Sequence, residues 1–457
     1  MEKITLKEIA YALGADAFGE ADITDVCIDT RKIAKGCLFI CIRGERFDAH
    51  NFAAEAKEKG AAALMVDHKL DIDLPQVVVD ETSAAMLSLS NYYRRKFVLP
   101  VVGLTGSVGK TTTKEFIALV LGAKYKTLKT QGNLNNEIGV PQMLFRLDYQ
   151  TEAAVIEMGM NHFGEIDRLS KAVEPTLALI TNIGVSHIEN LGSREGILKA
   201  KTEILSGMKH GYPLILSGDD DMLQTVDLGD AYPIITYAVK NTENADFIAE
   251  NIIEKDGKTT FTVLFDNGNS KQKITIPTIG IHNVYNALAA FTVGYMLQVD
   301  YQAAADAFAA YVPEGMRQKS VAFNGITCIE DCYNASPDSM KAALTTLANT
   351  EGKRKIAVLA DMLELGEYSK QAHMSVGEMV AQNKIDYLFA YGEMAEFIVD
   401  TAKDMGMKNA YHFDNKAELC EKLIPLIEKG DTIVFKASRG MKLEDVINKV
   451  YEVKKND

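Results

Sequence analysis

Leu104-Thr105-Gly106-Ser107-Val108-Gly109-Lys110-Thr111-Thr112-Thr113 is the stretch whose reading decides the fold. Before it stands Pro100 and the strand-like Val101-Val102-Gly103-Leu104; after it a helical pattern predicts a helix over 113–123. A strand, a glycine turn and a helix in that order are the setting in which a phosphate-binding loop works. Gly106 and Gly109 let the backbone turn tightly, so that successive N–H groups point inward at an anion. The helix start adds partial positive charge. On this reading Thr105, Gly106, Ser107, Val108, Gly109, Lys110, Thr111 and Thr112 bind the nucleotide. Lys110 reaches the β- and γ-phosphates and the Thr111 hydroxyl ligates Mg²⁺. The generic pattern would place a glycine at position 104, where Leu104 stands with Gly103 before it. The plain alternative is a helix start behind a glycine turn without nucleotide, but T-G-S-x-G-K-T-T after a strand favours ATP or GTP use.

Outward from the loop, short β-branched runs alternate with helical patterns, the signature of βα units around a parallel sheet. Buried strands are predicted at 153–157, 177–181, 213–217 and 233–237. Between about 246 and 279 the pattern changes to period two, with Asp256-Gly257 and Asn267-Gly268 as hairpin turns. This predicts an antiparallel flap on the parallel sheet, followed by a helix over 284–297. Pro313-Glu314-Gly315 breaks the chain, and a second doubly wound series follows, with strands at 326–330, 355–360, 387–391 and 432–436. Residues 1–82 form a small αβ segment with a strand at 37–42 and a helix over 51–59, and the pattern restarts with a helix near 83–96. The expectation is an α/β protein of three domains: a small αβ unit over 1–82, a P-loop parallel-sheet unit over 83–313 and a Rossmann-like unit over 314–457. The chain has 457 residues, and roughly 150 per domain gives the same count.

Composition narrows the function classes. Lys plus Arg is 49 against 63 Asp plus Glu, a formal net charge of −14, which disfavours coating a polyanion such as nucleic acid. No apolar run approaches the ~18–20 residues of a bilayer span, and Met1-Glu2-Lys3-Ile4-Thr5-Leu6-Lys7-Glu8 is not a secretory leader. The cysteines (Cys27, Cys37, Cys41, Cys328, Cys332 and Cys420) contain no C-x-x-C pair. They read as reduced, structural residues of a cytoplasmic protein.

The loop resembles the ATP loop of the Mur ligases and their folylpolyglutamate synthetase relatives, and the segments 131–141, 155–162, 181–187, 200–203, 281–286, 331–337 and 359–366 are similar to the same family. The resemblance covers roughly 25–440. It implies a peptide-bond-forming ligase of cell-wall synthesis, and the segment 131–141 looks most like the branch that adds D-alanyl-D-alanine to UDP-N-acetylmuramoyl-tripeptide. ATP would phosphorylate the tripeptide's terminal carboxylate, and the dipeptide amine would displace phosphate from the acyl phosphate. Two Mg²⁺ ions are expected, one beside Thr111 and Glu157. By resemblance His187 belongs to a second metal site, with a hydrogen-bonding role as the alternative. Lys201 occupies the position of a lysine carbamylated by CO₂, which would complete that site; Lys199 is its neighbour, and the A-K-x-E context favours Lys201.

The catalytic set implied is Lys110, Glu157, His187 and Lys201. Asn286, next to His282 and Asn283, is implied to contact adenine; a bland reading makes these helix caps. Arg317 is implied to reach the ATP phosphates, and Asp331, Tyr333 and Asn334, with Ser336 and Pro337, to face the ATP. Asp29-Thr30-Arg31 and Gly44-Glu45-Arg46-Phe47-Asp48-Ala49-His50 look like the UDP-sugar loops, with Thr30, Arg31, Arg43 and Gly44 in contact. Asn136 and Glu137 are expected to hold the muropeptide. Asp361 and Lys436-Ala437-Ser438-Arg439 are strand-end candidates near the incoming amine. Competing readings are a family member adding the third amino acid, a folylpolyglutamate synthetase, and a non-catalytic P-loop switch. A monomer is expected.

Overall fold

The computed structural model describes residues 1–44, 47–313 and 315–455. Glu45 and Arg46 of the expected sugar-binding loop, and Glu314 of the expected boundary, lie outside the described residues.

Near the amino terminus a five-stranded sheet runs in the order Asp16–Phe18, Gln76–Val78, Ala63–Val66, Cys37–Ile40, Asp25–Cys27. Its neighbours are parallel except Asp16–Phe18, which runs antiparallel to Gln76–Val78. The helix expected over 51–59 splits into a 3₁₀ turn, Ala49–Phe52, and an α-helix, Ala53–Glu58. The Asp48 carboxylate accepts from the His50 N–H and fixes that turn first. Helix Thr82–Arg94 leaves this sheet and packs on the central helices Gly139–Leu144 and Glu165–Val173. Its buried Arg94 donates from Nε to Val173 O at 3.0 Å, and Tyr93 donates its hydroxyl to Leu147 O at 2.7 Å.

The central sheet has nine strands among the described residues. The order is Ser270–Ile276, Lys258–Phe265, Phe247–Lys255, Ile234–Ala238, Leu214–Ser217, Leu177–Ile180, Val101–Thr105, Ala153–Glu157, Thr127–Lys129. The strands from Phe247–Lys255 to Thr127–Lys129 are parallel, and the remaining two are antiparallel. The expected flap is therefore an extension of the sheet, because Phe247–Lys255 pairs in parallel with Ile234–Ala238. Asp256-Gly257, with φ of 51° and 72°, makes its two-residue turn, the conformation that matches strand twist. On the buried strands alternate residues face opposite sides: Val101, Ile156, Ala178 and Ile180 enter one core, Val102, Leu104, Val155 and Leu179 the other. Coverage on both sides is why these strands read as unbroken apolar runs. Strand order reverses at Val101–Thr105, the switch point at whose carboxyl end α/β sheets bind ligands.

The third sheet runs Lys319–Phe323, Ile326–Asp331, Asp431–Lys436, Arg354–Ala360, Tyr387–Tyr391, Ala410–Phe413, parallel except for its first, antiparallel strand. Its loops meet the central sheet: helix Ile188–Leu191 packs on the turn Gly366–Tyr368. A Cβ on Gly184 would lie 2.3 Å from Asp338 Oδ2, so the two units touch beside the phosphate loop. No described helix is long and apolar enough to cross a membrane.

Candidate active site

A cavity of about 560 Å³ opens where the carboxyl ends of the central and third sheets face each other. The phosphate loop forms its floor. Gly106 has φ +148° and Gly109 φ +86°; both lie in the region that side chains resist, and both are packed from behind. A Cβ on Gly106 would sit 1.8 Å from Thr181 Oγ1, and one on Gly109 2.6 Å from Asn286 Oδ1. The loop is tied to the neighbouring strand end: Ser107 N donates to Asn182 O at 3.0 Å and Val108 N to Asn182 Oδ1 at 2.9 Å. Val108 O accepts from Thr181 Oγ1 at 2.7 Å and from Asn182 Nδ2 at 2.8 Å. Helix Lys110–Gly122 begins at Gly109 with no side-chain cap, so its first-turn N–H groups have no acceptor within the helix and remain for an anion.

Lys110 folds back over this loop, donating from Nζ to Gly106 O at 2.7 Å. Burial holds its ammonium below the ordinary lysine range; the Glu157 carboxylate opposes the shift and Arg317 adds to it. Glu157 ends its strand with 2% exposure. Its Oε2 accepts from Thr111 Oγ1 at 3.1 Å and its Oε1 from Asn135 Nδ2 at 2.8 Å. Lys201, on helix Arg194–Thr202, is 2% exposed and makes no ion pair among the described residues. Burial, reinforced by the Lys110 ammonium, holds its amine well below the ordinary range. Lys199 points out to solvent, its Nζ 5.9 Å from the Phe163 ring centre, so the buried member of the pair is Lys201.

Across the cavity stands the third sheet. Arg317 lies 3.7 Å over the Tyr333 ring. Asp331 and Lys436, paired in register, bond at 2.8 Å with Lys436 fully buried. Asn334 lines the cavity while its Oδ1 accepts from Ala335 N at 2.9 Å. Asn286 also lines it, with Oδ1 accepting from Thr113 Oγ1 at 3.1 Å. His282 donates from Nε2 to Gln318 Oε1 at 2.8 Å, and burial lowers its imidazolium pKa.

Several expected residues sit elsewhere. Thr105 is fully buried and donates its hydroxyl to Met158 O at 2.8 Å, so it braces the loop from below; Gly106 contributes its carbonyl to Lys110 and does not line the cavity. His187 lines the cavity but is not bonded to Glu157 or Lys201: its Nδ1 lies 2.7 Å from Glu364 Oε2 of the third unit. Both residues have left-handed backbones, φ 63° and 64°, and the adjacent His187 imidazole holds the Glu364 carboxyl below its usual range. Asn136 does line the cavity, and caps a turn by accepting from Gly139 N at 2.8 Å; Glu137 is ion-paired to Arg168 outside the cavity.

Thr30, Arg31, Arg43 and Gly44 lie apart on the first sheet's loops. Arg31 pairs with Asp29 at 2.8 Å and holds its carboxyl down at about 2. Arg43 bridges Asp48 and Asp67, each at 3.1 Å. His50, Asp67 and His68 place ligand-type atoms within 4.8 Å of one another, but Arg43 already neutralises Asp67 there. Sequence reasoning missed Asn135 and Glu364, the partners of Glu157 and His187.

A P-loop α/β unit joined by a deep cleft to a second Rossmann-like unit defines a nucleotide-dependent ligase architecture. Family models for the Mur ligase family catalytic domain, the Mur ligase middle domain and the Mur ligase glutamate ligase domain match 22–103, 104–294 and 316–439. The chain belongs to the Mur ligase family. It is 39% identical to the UDP-N-acetylmuramoyl-tripeptide–D-alanyl-D-alanine ligase of Bacillus subtilis and 38% identical to that of Escherichia coli, each covering 99% of both chains. Among solved structures it resembles MurF of Acinetobacter baumannii, at 32% identity, TM-score 0.93 and 99% of both chains. It also resembles the MurF ligase of Thermotoga maritima in complex with ADP, at 27% identity and TM-score 0.84, over 95% of this chain and 98% of that one.

Proposed function

We infer that the chain is an ATP-dependent ligase that joins D-alanyl-D-alanine to UDP-N-acetylmuramoyl-tripeptide in peptidoglycan synthesis. The observation that carries this is the meeting of the phosphate loop, the Thr111–Glu157 pair and the uncharged-leaning Lys201 in one cavity with Arg317 from the third unit, on a chain 39% identical end to end to such a ligase. The work is divided among the UDP-binding segment 1–82, the ATP segment 83–313 and the ligase segment 314–457, in a cytoplasmic monomer.

A carboxylate is a poor acyl donor because its leaving group would be an oxide. Its oxygen attacks the γ-phosphorus, the bond to the bridging oxygen breaks, and ADP leaves. The dipeptide amine then attacks the acyl carbon, phosphate departs, and the nitrogen loses its extra proton to water. The residues position groups, exclude water and neutralise charge. The loop N–H groups, Lys110 and Arg317 hold the phosphates, and Asn286, Asp331, Tyr333 and Asn334 enclose the rest of the nucleotide. Thr111 and Glu157 offer the hard oxygens that Mg²⁺ prefers, and bound Mg²⁺ supplies charge neutralisation on the phosphates. Because burial favours the neutral amine, Lys201 is suited to take up CO₂ as a carbamate, an anionic oxygen donor. His187, with Nδ1 turned towards the Glu364 carboxylate, keeps Nε2 for a second ion or the acyl phosphate. Thr30, Arg31, Arg43 and Gly44 serve the UDP moiety, and Asn136 the muropeptide; Glu137 acts through its ion pair with Arg168.

Phosphate release tests the reading. It should require ATP, UDP-N-acetylmuramoyl-tripeptide and D-alanyl-D-alanine together. Full activity with a single free amino acid, and none with the dipeptide, overturns it.

A further inference from the structure

The amine of D-alanyl-D-alanine must reach the acyl carbon, while its own carboxylate trails by two residues, about 7 Å of extended chain. A group that recognises this dipeptide by its free acid therefore belongs at the rim of the cavity, away from the reacting atoms. Around that rim the cations are mostly committed. Lys436 is neutralised by Asp331 at 2.8 Å, and Arg194 donates to Asp221 at 2.7 Å. Arg317 lies 3.7 Å over Tyr333.

Arg439 is different: it stands just outside the lining and meets the cavity through the ring of Tyr333, which lines it. It follows the buried strand Asp431–Lys436, and its backbone is anchored because Ser438, 3% exposed, accepts from Leu363 N at 2.9 Å. Its guanidinium is exposed, has no hydrogen bond or ion pair among the described residues, and lies 5.8 Å from the Tyr333 ring centre. Two guanidiniums thus share one ring that lines the cavity, and neither is ion-paired to a carboxylate among the described residues. The ring face attracts each of them, but their mutual repulsion is relieved only when an anion enters. A carboxylate fits the guanidinium fork with two parallel bonds.

We propose that Arg439 binds the terminal carboxylate of the incoming dipeptide and so selects a D-alanyl-D-alanine acid, with Tyr333 as the platform that aims it. This rests on the ligase reading above. The test compares D-alanyl-D-alanine with its C-terminal amide in wild type, Arg439→Ala and Arg439→Lys, monitored by phosphate release, with thermal melts to confirm folding. In wild type kcat/KM should favour the acid by about 10- to 100-fold, the range for hydrogen bonds to a charged group. Arg439→Ala should abolish that preference by raising the KM for the acid alone, and Arg439→Lys should keep part of it. The proposal is overturned if wild type treats acid and amide alike, if Arg439→Ala keeps the wild-type ratio or loses both substrates equally, or if the KM for ATP rises instead. Absence of any dipeptide-dependent release in wild type removes the ligase reading itself, and the proposal with it.

Discussion

Replacing Gly106 by alanine tests the phosphate loop most directly. The new Cβ would lie 1.8 Å from Thr181 Oγ1 and 3.0 Å from both Thr181 Cβ and Thr181 N. Turning the threonine away forfeits its 2.7 Å bond to Val108 O, about 1 kcal/mol. The φ of +148° costs an L-residue about 1–3 kcal/mol, and crowding against the Thr181 backbone about 1 kcal/mol more. A total of ~3 kcal/mol or above has to be absorbed by reshaping the loop that holds the phosphates. At 1.4 kcal/mol per factor of ten, ATP should bind about 100-fold more weakly in calorimetry. In a Thr181→Ala background the worst contact is gone, so the same substitution should cost less by roughly 1 kcal/mol or more. Binding of ATP by Gly106→Ala within twofold of wild type, or strict additivity of the two changes, would refute the reasoning.

Lys201→Met should abolish turnover yet raise the melting temperature of the magnesium- and bicarbonate-free protein. Its amine is pushed well below 10.5 by burial, so the folded state holds fewer protons than the unfolded one, and stability is lost as pH falls below 10.5; the gain should be larger at pH 7 than at pH 10. Lys201→Ala should regain activity with added short carboxylates. Glu364→Gln weakens the contact between the central and third units. The Glu364 carboxyl is depressed below 4.5 by His187, so the contact is complete above pH 4.5 and fades as pH falls through the depressed value. A half-exposed pair is worth at most about 1 kcal/mol, so the KM for the tripeptide should rise up to ~5-fold. A pH-dependent change in interdomain fluorescence transfer should appear in wild type alone. Cys41, Cys328 and Cys332, whose thiols burial pushes up to about 12, should resist alkylation at pH 8 until the protein is denatured, as followed by mass spectrometry.

The catalytic floor was legible because its signals are local. A glycine turn between a strand and a helix names itself, and the buried strands at 101–105, 153–157 and 177–180 read as apolar runs because both faces are covered. Several strands escaped. Thr127–Lys129, Lys319–Phe323 and Ala410–Phe413 bury one side or none, so period and hydrophobicity say little about them. Ala63–Val66 and Gln76–Val78 are largely buried but only three or four residues long, too short to show a period. Asn135 sits in the run Asn133-Leu134-Asn135-Asn136, and only the folded turn decides which asparagine faces Glu157. The partner of His187 comes from a residue 177 positions later, brought near by docking of two units. The inward turn of the Thr105 side chain was not legible, because membership of a motif does not say which side a side chain faces.

The strand Ser270–Ile276 ends the central sheet on one side, and Lys271 and Lys273 stand exposed along it while helix Tyr301–Ala307 lies against it. An unguarded ribbon of free amide groups would invite a neighbouring molecule to zip on. Spaced ammonium groups on a twisted margin repel such a visitor, and the adjacent helix blocks its approach. The hairpin that widens the sheet behind the nucleotide cleft thus also seals it, keeping a large β-layer from becoming a template for aggregation.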